Sequence, residues 1–269
     1  MSKLAVIAGN GNFPFLFLEE LKSKNQDALI IALLGETDEN IDKLGYQVFW
    51  TNIGKLDTMI DVMHKNDIKE AIMCGQVIHT KLFTEVKLDF RAIKLLGSLV
   101  NKKTDSILGM VAIEFEKEGI KLISSLTYMS KWLPQKKDLL TNFSNKINEK
   151  IMSDIKFGFL TAKKIASLDI GQTVVVKDNA VVAVEGLEGT DKCILRGHDL
   201  AGEGVVVAKV NKPNQDIRFD VPVIGIKTFE VLKKVKANAI CYEAGKTLFF
   251  NMDESLKIAN ENKIFVFGL

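Results

Sequence analysis

The sequence predicts an α/β protein in two parts: a Rossmann-like domain on a parallel sheet over residues 1–133, and a second, mixed α/β domain over residues 134–269. Three observations predict it. As far as Ile123, short apolar runs closed by glycine alternate with amphipathic stretches, the pattern of βαβ units. Between Ser125 and Phe143 the periodicity fades, and Pro134-Gln-Lys-Lys-Asp138 is polar and turn-prone. Past that point the rhythm changes to one long amphipathic stretch followed by paired apolar runs.

Leu4–Ala8 is an apolar run of strand length that stops at Gly9. Pro14 then opens a helix carrying Phe15, Leu16, Leu18 and Leu21, because a first turn loses nothing by proline's missing N–H. Ala28–Leu34 and Gln47–Trp50 read as the second and third strands. Leu56, Met59, Ile60 and Met63 stand at helical spacing within Lys55–Lys65. Ala71–Cys74, closed by Gly75, is the fourth strand. Helices over 89–100 and 104–118, the latter capped by Thr104 or Asp105, and a strand near 120–123 complete the first domain.

In the second domain, Ile147, Ile151, Ile155 and Phe159 keep a four-residue spacing that predicts a helix ending near Leu168. Two apolar runs within Thr173–Val184 read as a hairpin about Asp178-Asn179, residues that tolerate positive φ. Strands are expected over 205–210, 221–226, 239–242, 248–250 and 264–267, with helices over 228–235 and 254–262.

Composition narrows the function classes. Hydrophobic residues at 47% and charged residues at 26% exclude a disordered or fibrous chain. A formal net charge of +2 gives no global field for nucleic acid, which is not expected as a partner. No apolar run approaches the roughly 20 residues that span a bilayer, and no cationic, apolar, small-residue leader opens the chain. A cytoplasmic location follows as the expectation. Cys74, Cys193 and Cys241 are odd in number and far apart, and His64, His79 and His198 are the only histidines. Neither a disulfide framework nor a zinc site is expected.

Gly9-Asn10-Gly11-Asn12 lies between the first strand and the first helix. Glycines there admit a close ligand, and a helix N-terminus offers free N–H donors, so a phosphate or nucleotide is the natural guest. Pro14 stands where the dinucleotide fingerprint has its third glycine, which weakens an NAD reading. Gly75 sits at a strand's carboxyl end, where open α/β sheets bind ligands. Glu36 reads as a solvated loop acid and His79 as loop decoration, while Lys102-Lys103 precede a helix start, where two lysines would also serve a phosphate site.

The richest segment places Lys212, Gln215, Asp216, Arg218 and Asp220 within nine residues, fenced by Pro213 and Pro222. If it is extended, Arg218 and Asp220 share a face. Arginine chelates phosphate oxygens, and a carboxylate holds Mg²⁺ or takes a proton from water. The competing reading is a local Arg–Asp pair that braces a loop. Glu185, Glu188 and Asp191, interleaved with Gly186 and Gly189, read as carboxylates converging on a hard cation, with Thr190-Asp191 equally readable as a helix cap.

These segments occur in one order: Gly9-x-Gly11-x-x-Pro14, Leu168-Asp-Ile-Gly-Gln172, Val184-Glu-Gly-Leu-Glu-Gly-Thr-Asp191, Lys212-Pro-x-Gln-x-x-Arg-x-Asp-x-Pro-x-Ile-Gly225 and Glu243-Ala-Gly245. In them the chain resembles, over essentially its full length, the UDP-2,3-diacylglucosamine pyrophosphatases of the LpxI type. The resemblance implies hydrolysis of UDP-2,3-diacylglucosamine to 2,3-diacylglucosamine 1-phosphate and UMP in lipid A synthesis, with Mg²⁺, in a cleft between the domains. It maps the family's catalytic aspartate onto Asp220. Arg218 and Gln215 are then expected beside it, with Gly9, Asn10, Gly11, Asn12, Gly75, Lys212 and Thr190 on the substrate. Glu185, Glu188 and Asp191 would join Asp220 on the metal.

The chain departs from the family at His79-Thr80, where Arg-Pro is frequent, and at Lys103-Thr104-Asp105-Ser106, where a more acidic run is usual. Phe13–Phe17 and Met129–Leu133 are candidate acyl linings, with core as the default. Transient contact with the inner membrane surface and a homodimer are the further partner expectations. Two other function classes remain at this stage. A Rossmann oxidoreductase predicts a response to NAD(P)H. A non-catalytic nucleotide-sugar binder predicts stabilisation by ligand without release of UMP.

Overall fold

The computed structural model describes residues 3–77, 88–98, 104–135, 137–143, 147–213 and 215–269. His79, Lys102 and Lys103 lie outside the described residues. The chain divides into two units: Met1–Met129 with Asp216–Asp220, and Ser130–Gln215 with Val221–Leu269.

The first unit is built on five parallel strands: β1 Leu4–Ala8, β2 Ala28–Leu33, β3 Gln47–Thr51, β4 Glu70–Cys74 and β5 Lys121–Leu122, in the order β3-β2-β1-β4-β5. Every residue of β1 and β2 is buried, as strands covered on both faces must be. The helices are α1 Phe13–Ser23, α2 Leu56–Lys65, α3 Phe90–Ser98 and α4 Thr104–Lys117. Ala5, Ile7, Leu29 and Ile31 pack with Met59, Ile60 and Met63 of α2 and Phe115 of α4. Arg91 ties the three later helices together through Asp57, Glu114 and Glu118. The chain winds outward from β1 to β3 and then returns to the far side of β1 as β4. That reversal sets the loops after β1 and β4 side by side at a switch point, where open α/β sheets bind ligands.

The second unit begins with α5 Glu149–Ser167, capped by the Asn148 side chain, which accepts from Ile151 N–H at 2.8 Å. Then come β6 Thr173–Lys177, β7 Ala180–Val184, α6 Thr190–Ala201, β8 Val206–Lys209, β9 Val223–Ile224, α7 Ile226–Lys234, β10 Ala239–Tyr242, β11 Leu248–Phe249, α8 Met252–Glu261 and β12 Phe265–Gly268. The main sheet runs β12-β10-β8-β6-β7, with β8, β10 and β12 parallel and the β6–β7 hairpin antiparallel at one side. Short β9 pairs in parallel with β11.

Alternation sorts the sheet into two faces. Val175, Val207, Ile240 and Val266 meet α6, α7 and α8 through Ile194, Phe229, Leu232 and Ala259. Val174, Val206, Ala208 and Cys241 meet α5 through Ile151, Ile155 and Ala162. The hairpin turns through Asp178 (φ 54°) and Asn179 (φ 55°), as expected from their tolerance of positive φ. Buried Asp154 accepts from the N–H groups of both, at 3.1 and 2.6 Å.

All three cysteines are free and buried, and burial pushes the Cys193 and Cys241 thiols up to about 12. Phe17 and Met129 are fully buried core residues, whereas Phe13, Phe15 and Leu16 are half-buried. Among the described residues, no helix is long and apolar enough to cross a membrane.

Candidate active site

The loops after β1 and β4 are joined by one antiparallel rung. Gly9 N–H donates to Cys74 C=O at 2.7 Å, Asn10 N–H to Gln76 C=O at 2.6 Å, and Gln76 N–H to Asn10 C=O at 3.0 Å. A Cβ on Gly9 would stand 2.5 Å from the Gln76 carbonyl oxygen, and one on Gly75 2.7 Å from that of Asn10. These two glycines therefore serve loop-to-loop approach; the close approach expected there is made by backbone. Gly11 is different. Its φ of +91° requires glycine, and the space around it is open. Among the described residues, the N–H groups of Gly11 and Asn12 make no hydrogen bond, and Asn12 does not cap α1. The loop's unmet donors thus stand at the positive end of a helix.

Glu36 is buried, not solvated as its polar loop implied. The neighbouring Thr37 hydroxyl explains the enclosure: it donates to Ala8 C=O and accepts from Leu33 N–H, pulling the loop onto the sheet.

Asp216–Asp220 belongs to the first unit. Phe219 packs against that unit's core, Ser124 Oγ donates to Ile217 C=O at 2.6 Å, and Arg218 Nη1 donates to Glu116 at 3.1 Å. The segment is a turn, so the condition of an extended stretch is not met, with Asp220 N–H donating to Asp216 C=O at 3.0 Å. The cause is local: the Asp216 carboxylate accepts from the Arg218 backbone N–H and from its Nε and Nη2, competing with any strand ladder. Alternation therefore does not set the faces of Arg218 and Asp220. Asp216 and Glu116 use one N–H on each guanidinium nitrogen, which leaves, among the described residues, two of the five for an anion.

The Arg218 hydrogen bond holds the Asp216 carboxyl below its ordinary value, against the opposing push of burial. A folded value below the unfolded one means that this stabilisation is complete above the ordinary 3.8 and is lost as pH falls through the depressed value. In Arg218→Gln, an NMR titration should find Asp216 shifted upward towards 3.8; an unchanged midpoint would show that the pair does not depress it.

One edge of the second unit's main sheet gathers the remaining motifs. Glu185, just after β7, accepts from Gln172 N–H at 3.1 Å and from Thr190 Oγ1 at 2.9 Å. Lys209, ending β8, donates to Thr190 Oγ1 and to Val223 C=O, both at 2.9 Å. Lys212 Nζ pairs with Asp169 at 2.8 Å, and Lys212 N–H donates to Gln215 Oε1 at 3.0 Å, closing a tight turn. Gln215 Nε2 is buried with no hydrogen-bond partner among the described residues. Glu243, just after β10, binds Lys163, Lys246 and Asn211 N–H. Lys163 and Lys209 escaped sequence reading. Lys209 carried a signal, as a cation closing an otherwise apolar strand; Lys163, inside a long amphipathic helix, carried none.

The acids expected around a cation are occupied differently. Glu188 is bound by Arg196 and by Gly186 N–H, and Arg196 holds its carboxyl below the ordinary value. Asp191 lies in the first turn of α6 with Thr228 Oγ1 at 3.4 Å and Thr190 opens that helix, but its N-cap is Gly189 with no side-chain cap, so the capping reading of Thr190-Asp191 is corrected as well. Among the described residues, no three His, Cys, Asp or Glu side chains group to hold a metal. Glu185, Glu188 and Asp191 do not fit a metal cage. A cavity of about 490 Å³ lies at the sheet's opposite edge, lined by Lys233, Lys236, Asn238 and Lys263. Its lysines sit at the carboxyl ends of α7 and α8, where cations offset helix carbonyls.

Fold and motifs together define a two-domain α/β protein with a Rossmann-like first domain. The chain belongs to the LpxI family: the LpxI N-terminal domain matches residues 3–132 and the LpxI C-terminal domain residues 140–267. It is 29% identical, over 100% of its length and 98% of the relative's, to the UDP-2,3-diacylglucosamine pyrophosphatase LpxI of Caulobacter vibrioides. Among solved structures, it is similar to the biotin carboxylase domain of Hydrogenobacter thermophilus 2-oxoglutarate carboxylase, at 11% identity and a TM-score of 0.29, over 74% of this chain and 41% of that one. A Bacillus licheniformis L-amino acid ligase is similar at 10% identity and a TM-score of 0.26, over 70% of this chain and 40% of that one. The chain thus spans about two fifths of either.

Proposed function

We propose that the chain hydrolyses the pyrophosphate of UDP-2,3-diacylglucosamine to UMP and 2,3-diacylglucosamine 1-phosphate, a step of lipid A synthesis. The observation that carries this reading is the match of both domains, in order, to the family of the Caulobacter pyrophosphatase. In the reaction a water oxygen bonds to one phosphorus as the bridging P–O bond breaks, and the water's proton passes to a base. Asp220 is the carboxylate assigned to orient that water or to hold Mg²⁺. The two remaining N–H groups of Arg218, held in place by Asp216, offset phosphate charge. The Gly11 and Asn12 N–H groups take phosphate oxygens, with Gly9, Asn10 and Gly75 shaping their loop.

Mg²⁺ takes one or two protein carboxylates besides substrate phosphates and water, so Asp220 suffices where the Glu185 group does not fit. Bound there, the ion supplies charge neutralisation on non-bridging oxygens. Lys212 and Thr190 act on this reading by shaping their loops rather than by touching substrate, since each is bonded within its own unit, whereas Gln215 shapes its turn through Oε1 and keeps its Nε2 donors for the reaction. Two acyl chains place the substrate in a bilayer, so transient contact with a membrane surface belongs to the same proposal.

The test is UMP release from UDP-2,3-diacylglucosamine by the purified full-length chain, in Mg²⁺ and in EDTA. Release in Mg²⁺ that EDTA abolishes is the expected result. A rise in melting temperature with substrate but no UMP would overturn catalysis in favour of a non-catalytic nucleotide-sugar binder.

A further inference from the structure

The connection between β8 and β9 leaves its sheet at Asn211, and side chains rather than a strand meet that residue's backbone. Its N–H donates to Glu243 Oε2 at 3.0 Å, and Lys163 Nζ donates to its C=O at 3.0 Å. Lys163 Nζ also binds Glu243 Oε2 at 2.8 Å, while Lys246 Nζ holds Oε1 at 2.8 Å. Glu243 and Asn211 are both buried, so the carboxylate persists as an ion only because it is paired, and the Asn211 peptide depends on it. Burial pushes the Glu243 carboxyl up, but the bonds from Lys163 and Lys246 outweigh it and hold the group below its ordinary value. The β8–β10 ladder ends at Lys209 and Tyr242 and asks nothing of Glu243. Its Oε2 is directed instead at the connection in which Gln215, Arg218 and Asp220 follow.

We propose that Glu243 is a positioning residue for the hydrolysis proposed above: with Lys163 it clamps both backbone groups of Asn211 and fixes the course of the connection that carries Asp220. The inference rests on that reading of the function. Glu243→Gln keeps the shape and removes the charge that holds both lysines. It should lower kcat about 10- to 100-fold, the scale of a misplaced catalytic group, with KM within about twofold. Amide exchange at Asn211 and Lys212 should quicken while that of β8 and β10 stays unchanged.

Lys163→Gln should show the same kcat loss, and the double variant should be no slower than the worse single one, because both act on one peptide. If Glu243→Gln does not fold, Lys163→Gln carries the test alone. Unchanged kcat in the variants, a raised KM with kcat intact, or losses that multiply would each overturn the clamp. If the wild type itself releases no UMP, the hydrolase reading falls and takes this inference with it. Turnover by wild type with unaltered variants overturns the inference alone.

Discussion

Asp220→Ala is expected to cut UMP release about 10²- to 10⁴-fold, the range spanned by loss of a positioned acid–base group. Melting temperature should fall by no more than about 6 °C, the scale of one lost side-chain hydrogen bond or ion pair. The asymmetry follows from what anchors the segment: Phe219 in the first unit's core, Ser124 on Ile217, and the Asp216–Arg218–Glu116 chain. The turn itself uses Asp220's backbone N–H, which alanine retains. Asp220→Asn separates the two roles open to the carboxylate. A metal ligand lost to the amide should be partly rescued by raised Mg²⁺, whereas a lost proton acceptor should not. Near-normal turnover by both variants would remove Asp220 from the chemistry.

Gly171→Ala should be the most damaging small substitution in the second unit. A Cβ there would stand 2.0 Å from the Glu185 carbonyl oxygen and 2.8 Å from its carbon, and both are backbone atoms that no rotamer can move. Relief requires the start of β6 to separate from the end of β7, breaking the Glu185 N–H bond to Thr173 C=O and the Gln172 N–H bond to the Glu185 carboxylate. Overpacking of this kind costs on the order of 3 kcal/mol. Melting temperature should therefore fall by about 6–12 °C, measured by calorimetry. Turnover should fall as well, because Glu185 bonds Thr190, and Lys209 reaches Val223 through the same cluster. A melting temperature within 1 or 2 °C of wild type would show that the strands part freely, contrary to this packing.

Strands buried on both faces were the most legible in the sequence. Leu4–Ala8, Ala28–Leu33 and Ala239–Tyr242 are continuous apolar runs, and nothing local competes with their pairing. Helix α6 was hidden because Glu185–Asp191 reads as an acidic glycine loop, and its start rests on Gly189 at φ +82° rather than on a capping side chain. The turn at Asp216–Asp220 is not legible from alternation, which says nothing about an aspartate that binds the N–H two residues on. Of the site residues, Arg218 and Asp220 stood out by type and crowding. The donors left open at Gly11 and Asn12 emerge only once Gly9 and Asn10 are seen spent on Cys74 and Gln76, a pairing between segments far apart in sequence.

The return of Asp216–Asp220 to the first unit has a consequence for heredity. A gene cut near codon 130 yields a leading piece that lacks Phe219, the plug its own interior expects, along with Arg218, the counter-ion of its Glu116. Neither piece is a complete module, so recombination that shuffled one half onto a foreign partner would have to carry those five residues as well.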